Sequence, residues 1–184
     1  MKKMKIKNMV LAAMFLGIGL LLPFLTGQIK QLGNMLLPMH IPVLLCGLIC
    51  GWQYGLIIGF ILPLLRSFLF AMPVMYPNAA AMAFELAVYG FVSGWLYSRS
   101  LEKSVKALYG SMVSAMVLGR IVWGIVKNLL MGFSGFSFKV FLAGAIINAI
   151  PGIILQLIII PVIMLALKRA RLISHDKGKN NYIA

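Results

Sequence analysis

Acidic side chains are nearly missing from this sequence. Of 184 residues only Glu85, Glu102 and Asp176 carry a carboxylate, and charged residues of both signs together make up 11%. A soluble domain is about 25% charged and about half apolar; here 62% of residues are hydrophobic and the mean hydropathy is +1.00. Too little polar surface remains to wet a globule of this size, which excludes a soluble enzyme, a secreted disulfide scaffold and a disordered chain. With no pair of neighbouring acids, two-carboxylate and two-metal chemistry lack their ligands. No G-x-x-x-x-G-K-[ST] occurs, so the chain has no P-loop with which to handle ATP. Cysteine is scarce as well. Cys46 and Cys50 lie four apart in an apolar run and read as small helix residues, with no disulfide, metal or cofactor implied.

What the chain has in abundance is apolar length. At roughly 20 residues per crossing, its hydrophobic content suffices for five or six spans. Residues 1–184 therefore read as one integral membrane domain, an all-α protein with six transmembrane helices. The spans are expected at 9–25, 39–50, 54–70, 78–97, 105–131 and 139–167, broken by a loop at 28–38, a turn at Gly51-Trp52-Gln53, the stretch 72–77 and a last loop at 132–138. The second is short for a crossing, so it must tilt, lie within protein or be extended by the loop before it. Pro63, Pro151 and Pro161 fall inside spans, where they kink helices and free carbonyls.

The 17 Lys and Arg would suggest nucleic acid in a soluble protein, but their positions argue otherwise. With six spans, Lys2, Lys3, Lys5, Lys7, Arg99, Lys103, Lys106, Lys168, Arg169, Arg171, Lys177 and Lys179 share one side, against Lys30 and Lys139 on the other. Basic loops stay in the cytoplasm, so the chain is expected to be a multi-pass protein of the cell membrane with both termini inside.

Charge within a span is costly and by default marks a function. Arg66, Glu85, Arg120 and Lys127 qualify, with Asn78, Asn128, Asn148 and Gln156 as uncharged companions. From the direction of each span, the charged four share the outer half of the membrane. Their faces agree too: Asn78, Met82, Glu85 and Tyr89 form one stripe, Arg120, Trp123 and Lys127 a second, and Asn148, Gly152 and Gln156 a third. Facing stripes of this kind make a pocket open to the outside, with Tyr89 and Trp123 for stacking and net positive charge for a carboxylate or phosphate. The competing reading is a set of interhelical salt bridges, Glu85 with Arg66 or Arg120, with Lys127 reaching the headgroups. His40, alone before Ile41-Pro42, has no metal partners and either touches a ligand or caps a helix. Small residues recur at Ala13 and Gly17, at Gly47, Gly51, Gly55 and Gly59, and at Gly90 and Gly94, which lets helices approach closely.

Several stretches carry a family resemblance: His40-Ile41-Pro42-Val43-Leu44-Leu45-Cys46-Gly47, Gly55-Leu56-Ile57-Ile58-Gly59, Pro63-Leu64-Leu65-Arg66-Ser67 and Met82-Ala83-Phe84-Glu85-Leu86-Ala87. With six spans in about 180 residues, the chain resembles the substrate-binding (S) components of energy-coupling factor (ECF) vitamin transporters. The resemblance implies high-affinity capture of a vitamin or precursor from outside. It also implies association with a transmembrane T component carrying two ATPase subunits, and toppling in the bilayer to release the cargo. The family's A-x-x-x-A docking motif falls on Ala13 and Gly17, where the second alanine is glycine. The expected ligand contacts are Asn34, His40, Arg66, Asn78, Glu85, Tyr89, Arg120, Trp123, Lys127 and Asn148. Buried positive charge favours a carboxylate such as pantothenate, with a pyridoxine- or hydroxymethylpyrimidine-like ring next. The alternatives are a stand-alone small secondary transporter or channel using the same cluster and, more remotely, a membrane enzyme with Glu85 as base.

Overall fold

A computed structural model describes residues 6–26, 35–132 and 149–170, and these are helical throughout apart from short turns. The described residues form six α-helices: α1 (Ile6–Leu21), α2 (His40–Cys50), α3 (Trp52–Phe70), α4 (Ala80–Arg99), α5 (Val105–Met131) and α6 (Ile150–Arg169). Five, all but α2, are long and apolar enough to cross a membrane, α1 together with the turn that follows it (Ile6–Leu25). The boundaries follow local chemistry. Pro23 cannot supply the N–H that would continue the α1 ladder, and the chain tightens into a 3₁₀ turn over Leu22–Thr26. Gly51 alone separates α2 from α3, at φ 107° and ψ 161°, a conformation that side chains with a Cβ avoid. Helix α3 therefore starts at Trp52, two residues before the expected 54. A π turn at Met75–Ala79 leads into α4, and the Ser104 hydroxyl caps α5 by accepting from the Ala107 N–H at 3.3 Å. Pro151 falls in the first turn of α6, where a missing N–H costs nothing, while Pro63 and Pro161 lie inside α3 and α6. The expected extension of the last span over 139–148 lies outside the described residues.

Helix α2 resolves the problem of its own length. Eleven residues rise about 16 Å, roughly half the hydrocarbon thickness, and all eleven are buried. It is wrapped by the other helices rather than by lipid. Its terminal Cys50 carbonyl, left over at the helix end, accepts from the Asn8 side-chain amide at 3.2 Å. Cys46 and Cys50 are both buried and free.

The core is built where α2, α3 and α4 touch backbone to backbone. A Cβ added at Gly90 would lie 2.2 Å from the Gly55 carbonyl oxygen, one at Gly59 2.2 Å from that of Leu86, and one at Gly47 2.3 Å from that of Gly90. Around this seam pack Val43, Leu44, Leu62, Leu86 and, from α5, Met112 and Ala115. Basic residues gather at the opposite end from His40: Arg99 lies over the Trp95 ring at 4.3 Å and Lys103 over Tyr97 at 6.0 Å. In the loop before α5, partial burial lowers the Lys103 ammonium pKa from its ordinary value.

The seam sets a stability prediction. Gly90→Ala meets backbone that cannot yield, and its thermal midpoint in detergent is expected to fall by at least about 5 °C. Gly110→Ala, where an added Cβ meets nothing within 4 Å, is expected to change it by less than about 2 °C.

Candidate functional site

Glu85 is the centre of the polar interior. It lies on the core face of α4, 1% exposed, and one of its oxygens, Oε1, receives two cations or potential cations. Arg120 Nη1 of α5 stands 3.1 Å away and His40 Nε2, from the first residue of α2, stands 3.4 Å away. Three helices thus converge on one carboxylate oxygen. A lone charge at a span's centre costs about 2.5–3.5 kcal/mol on insertion scales, which favours a buried carboxylate and guanidinium facing one another, as Glu85 and Arg120 do.

Tyr89 completes the group one turn along α4. Its ring sits edge-on to the His40 imidazole with centroids 5.0 Å apart. Its buried hydroxyl makes no hydrogen bond of good geometry among the described residues. The ring fits because α5 has glycine at 119: a Cβ there would lie 2.4 Å from Tyr89. Among the described residues, Arg120 Nε and Nη2, both His40 nitrogens and both polar atoms of the fully buried Gln156 also lack hydrogen-bond partners. Buried polar atoms are almost always satisfied. The Nε and Nη2 of Arg120 form the side-on edge of the guanidinium, the edge that grips a carboxylate with two parallel hydrogen bonds.

The remaining expected residues are placed differently. Arg66 is buried but does not join Glu85. Its guanidinium donates to the Leu20 carbonyl in the last turn of α1 and lies over the rings of Phe24 and Phe70, at 5.1 and 5.3 Å. Of the two salt bridges considered for Glu85, the one with Arg120 is present and the one with Arg66 is not. Trp123 packs against Ala81 of α4, and Lys127 Nζ lies over its ring at 4.5 Å. These two extend the α5 stripe beyond Arg120. Asn78 is half-buried in the π turn ahead of α4. Asn34 and Asn148 lie outside the described residues. Ala13 is exposed on the outer face of α1, and an added Cβ at Gly17 meets nothing within 4 Å.

Sequence reasoning undervalued three residues. The partnership of His40 with Glu85 leaves no local trace, because it depends on how α2 docks on α4. Asn8 was readable as a polar residue in an apolar first turn, and Gln156 as a companion whose face, one turn beyond Gly152, is buried. Gly152 itself lets α6 meet the chain just before α2, since a Cβ there would lie 2.5 Å from the Met35 carbonyl oxygen.

The ion pair makes a testable demand. Arg120→Met leaves Glu85 buried and uncompensated, a change that typically costs about 3–5 kcal/mol, and should sharply lower the thermal midpoint. Adding Glu85→Gln to the same chain should restore much of the loss, and a failure to do so would mean the two residues are not energetically coupled.

A family model described as "ECF transporter, substrate-specific component" matches residues 7–164. No curated protein matches, and no solved structure does.

Proposed function

Because the chain belongs to the family of ECF transporter substrate-specific components, we propose that it captures a small anionic vitamin, a pantothenate-like carboxylate, from outside the cell for ATP-driven uptake. ECF S components are substrate-binding subunits that work in the membrane with T and ATPase modules. The observation that carries the choice of ligand is the Arg120 guanidinium. Its Nη1 is engaged by Glu85 while its Nε–Nη2 edge has no partner among the described residues. In this reading Arg120 grips the carboxylate, Lys127 stays over the Trp123 ring, and His40, Glu85 and Tyr89 hold the guanidinium in place. Asn34, Asn78 and Asn148 are assigned to the surrounding polar contacts, and Arg66 to fastening α1 onto α3. A pyridoxine- or pyrimidine-like ring is the second reading. It is less favoured because Lys127 already covers Trp123, the aromatic it would stack on.

The termini are assigned to the cytoplasm of a cell-membrane protein by the positive-inside distribution of Lys and Arg. The partner T component, bound to two ATPase subunits, is assigned to the outer face of α1 at Ala13 and Gly17.

The test is direct. Purified protein, denatured after mild-detergent extraction, should release a carboxylate vitamin identifiable by mass spectrometry. Pantothenate should bind the emptied protein, and its alcohol analogue pantothenol should bind about 10- to 100-fold more weakly, the worth of charge-assisted hydrogen bonds. Arg120→Gln should remove that preference. Equal affinity for acid and alcohol, or release of a neutral ring compound, would turn the assignment to the second reading. Uptake by vesicles holding only this chain would favour a stand-alone transporter. A bulky pair, Ala13→Leu with Gly17→Leu, should leave binding unchanged and abolish uptake with the T and ATPase subunits.

A further inference from the structure

His40 and Arg120 approach the same atom, Glu85 Oε1, from opposite helices, at 3.4 and 3.1 Å. All three belong to a region where unbalanced charge is expensive. Without a ligand, one carboxylate against one guanidinium already sums to zero, with no charge called for on the imidazole. A ligand carboxylate that takes up the buried, unsatisfied Nε–Nη2 edge of Arg120 changes this, because two anions then share one guanidinium. The group that can restore neutrality is already in contact. Imidazole is the side chain that changes charge near neutral pH, and His40 Nε2 already faces the carboxylate.

Resting on the anion-capture reading, we propose that the site binds a proton as a second ligand, on His40, so that about one proton is taken up for each anion captured. The proton comes from solvent and adds to the imidazole nitrogen that lacks one, making a new N–H bond. The Glu85–His40 contact becomes an ion pair, and ligand, Arg120, Glu85 and His40 together return to zero charge. A neutral ligand makes no such demand. Among the described residues, the titratable and charged groups facing His40 are Glu85 and Tyr89 from α4 and Arg120 from α5. Elsewhere, Arg66 of α3 is engaged at Leu20, and the buried polar residues of α1 and α6 are Asn8 and Gln156, which do not titrate. Among the described residues, the rival source of charge is Lys127, half-buried over Trp123. If its ammonium moved onto the ligand instead, no proton would be needed.

Isothermal titration of the full chain with pantothenate, in phosphate and in Tris at the same pH, counts protons from the dependence of the heat on buffer ionisation. The expected count is about one, with affinity rising up to about tenfold for each unit the pH falls. Pantothenol, if it binds, should give zero and a flat pH profile. His40→Gln should bring the pantothenate count to zero, and Lys127→Met should leave it near one. A wild-type count of zero with pantothenate bound overturns the coupling and leaves anion capture intact. Failure of pantothenate and every other carboxylate vitamin to bind overturns the anion reading, and the coupling with it. Should His40→Gln not fold, the wild-type comparison of acid and alcohol decides alone.

Discussion

Everything polar in this bundle depends on how closely α4 approaches α2 and α3. In hydrocarbon, helices gain nothing from hiding apolar side chains, since lipid is as apolar as leucine. Association then rests on van der Waals contact, which small residues maximise by letting backbones meet. Gly47, Gly55, Gly59, Gly90 and Gly94 supply such a surface, with carbonyl oxygens of one helix seated where a neighbour's Cβ would be. The seam fixes the rotation of α4, and that rotation points Glu85 and Tyr89 inward rather than at lipid. It also holds α2, the shortest of the described α-helices, wholly inside the protein.

The charges are then arranged by what the seam leaves room for. Glu85 meets Arg120 and His40 because Gly119 lets α5 close over Tyr89. Arg66, one helix away, meets a different solution: a leftover carbonyl at the end of α1 and two aromatic faces. A helix C-terminus carries partial negative charge, and aromatic faces attract cations most when water is absent. Two arginines at similar expected depth thus do separate jobs. The first is tied to a carboxylate and keeps a hydrogen-bonding edge unused. The other fastens one helix to another.

Much of this was legible in the sequence. Composition gave the membrane class, apolar length gave the helices with α5 right to the residue, and recurring glycines gave the seam. Helical periodicity put Glu85 and Tyr89 on one buried face and Arg120 toward it. Depth along a span was a weaker guide than rotation about it. Arg66 shares the expected level of Glu85, but its bearing on α3 takes it to Leu20 and Phe24. His40 was legible as a candidate contact but not as a partner of Glu85, because that partnership depends on a contact across 45 residues of chain, between α2 and α4, that no periodicity encodes. The short second helix was legible as a problem but not as its answer, because burial on all sides comes from neighbours and not from its own sequence.

Helix α1 shows how the same rules treat the edge of the bundle. It is fixed to α2 at its start, where Asn8 donates to the Cys50 carbonyl, and to α3 at its end, where the Leu20 carbonyl accepts from Arg66. Both attachments use carbonyls in a helix's last turn, the class of group that helix ends leave without intrahelical partners. Between them Gly19 seats against Leu62, and the opposite face, with Met9, Val10, Ala13, Met14, Ile18 and Leu21, stays uncovered. A helix held at both ends presents its outer face as a fixed surface instead of a fraying one. Anything seated there meets a helix joined to α2 and α3, the two elements that also pack against the carrier of Glu85. The outer face and the polar centre therefore belong to one connected body, linked through the Asn8 and Arg66 attachments of α1 and the glycine seam of α2, α3 and α4.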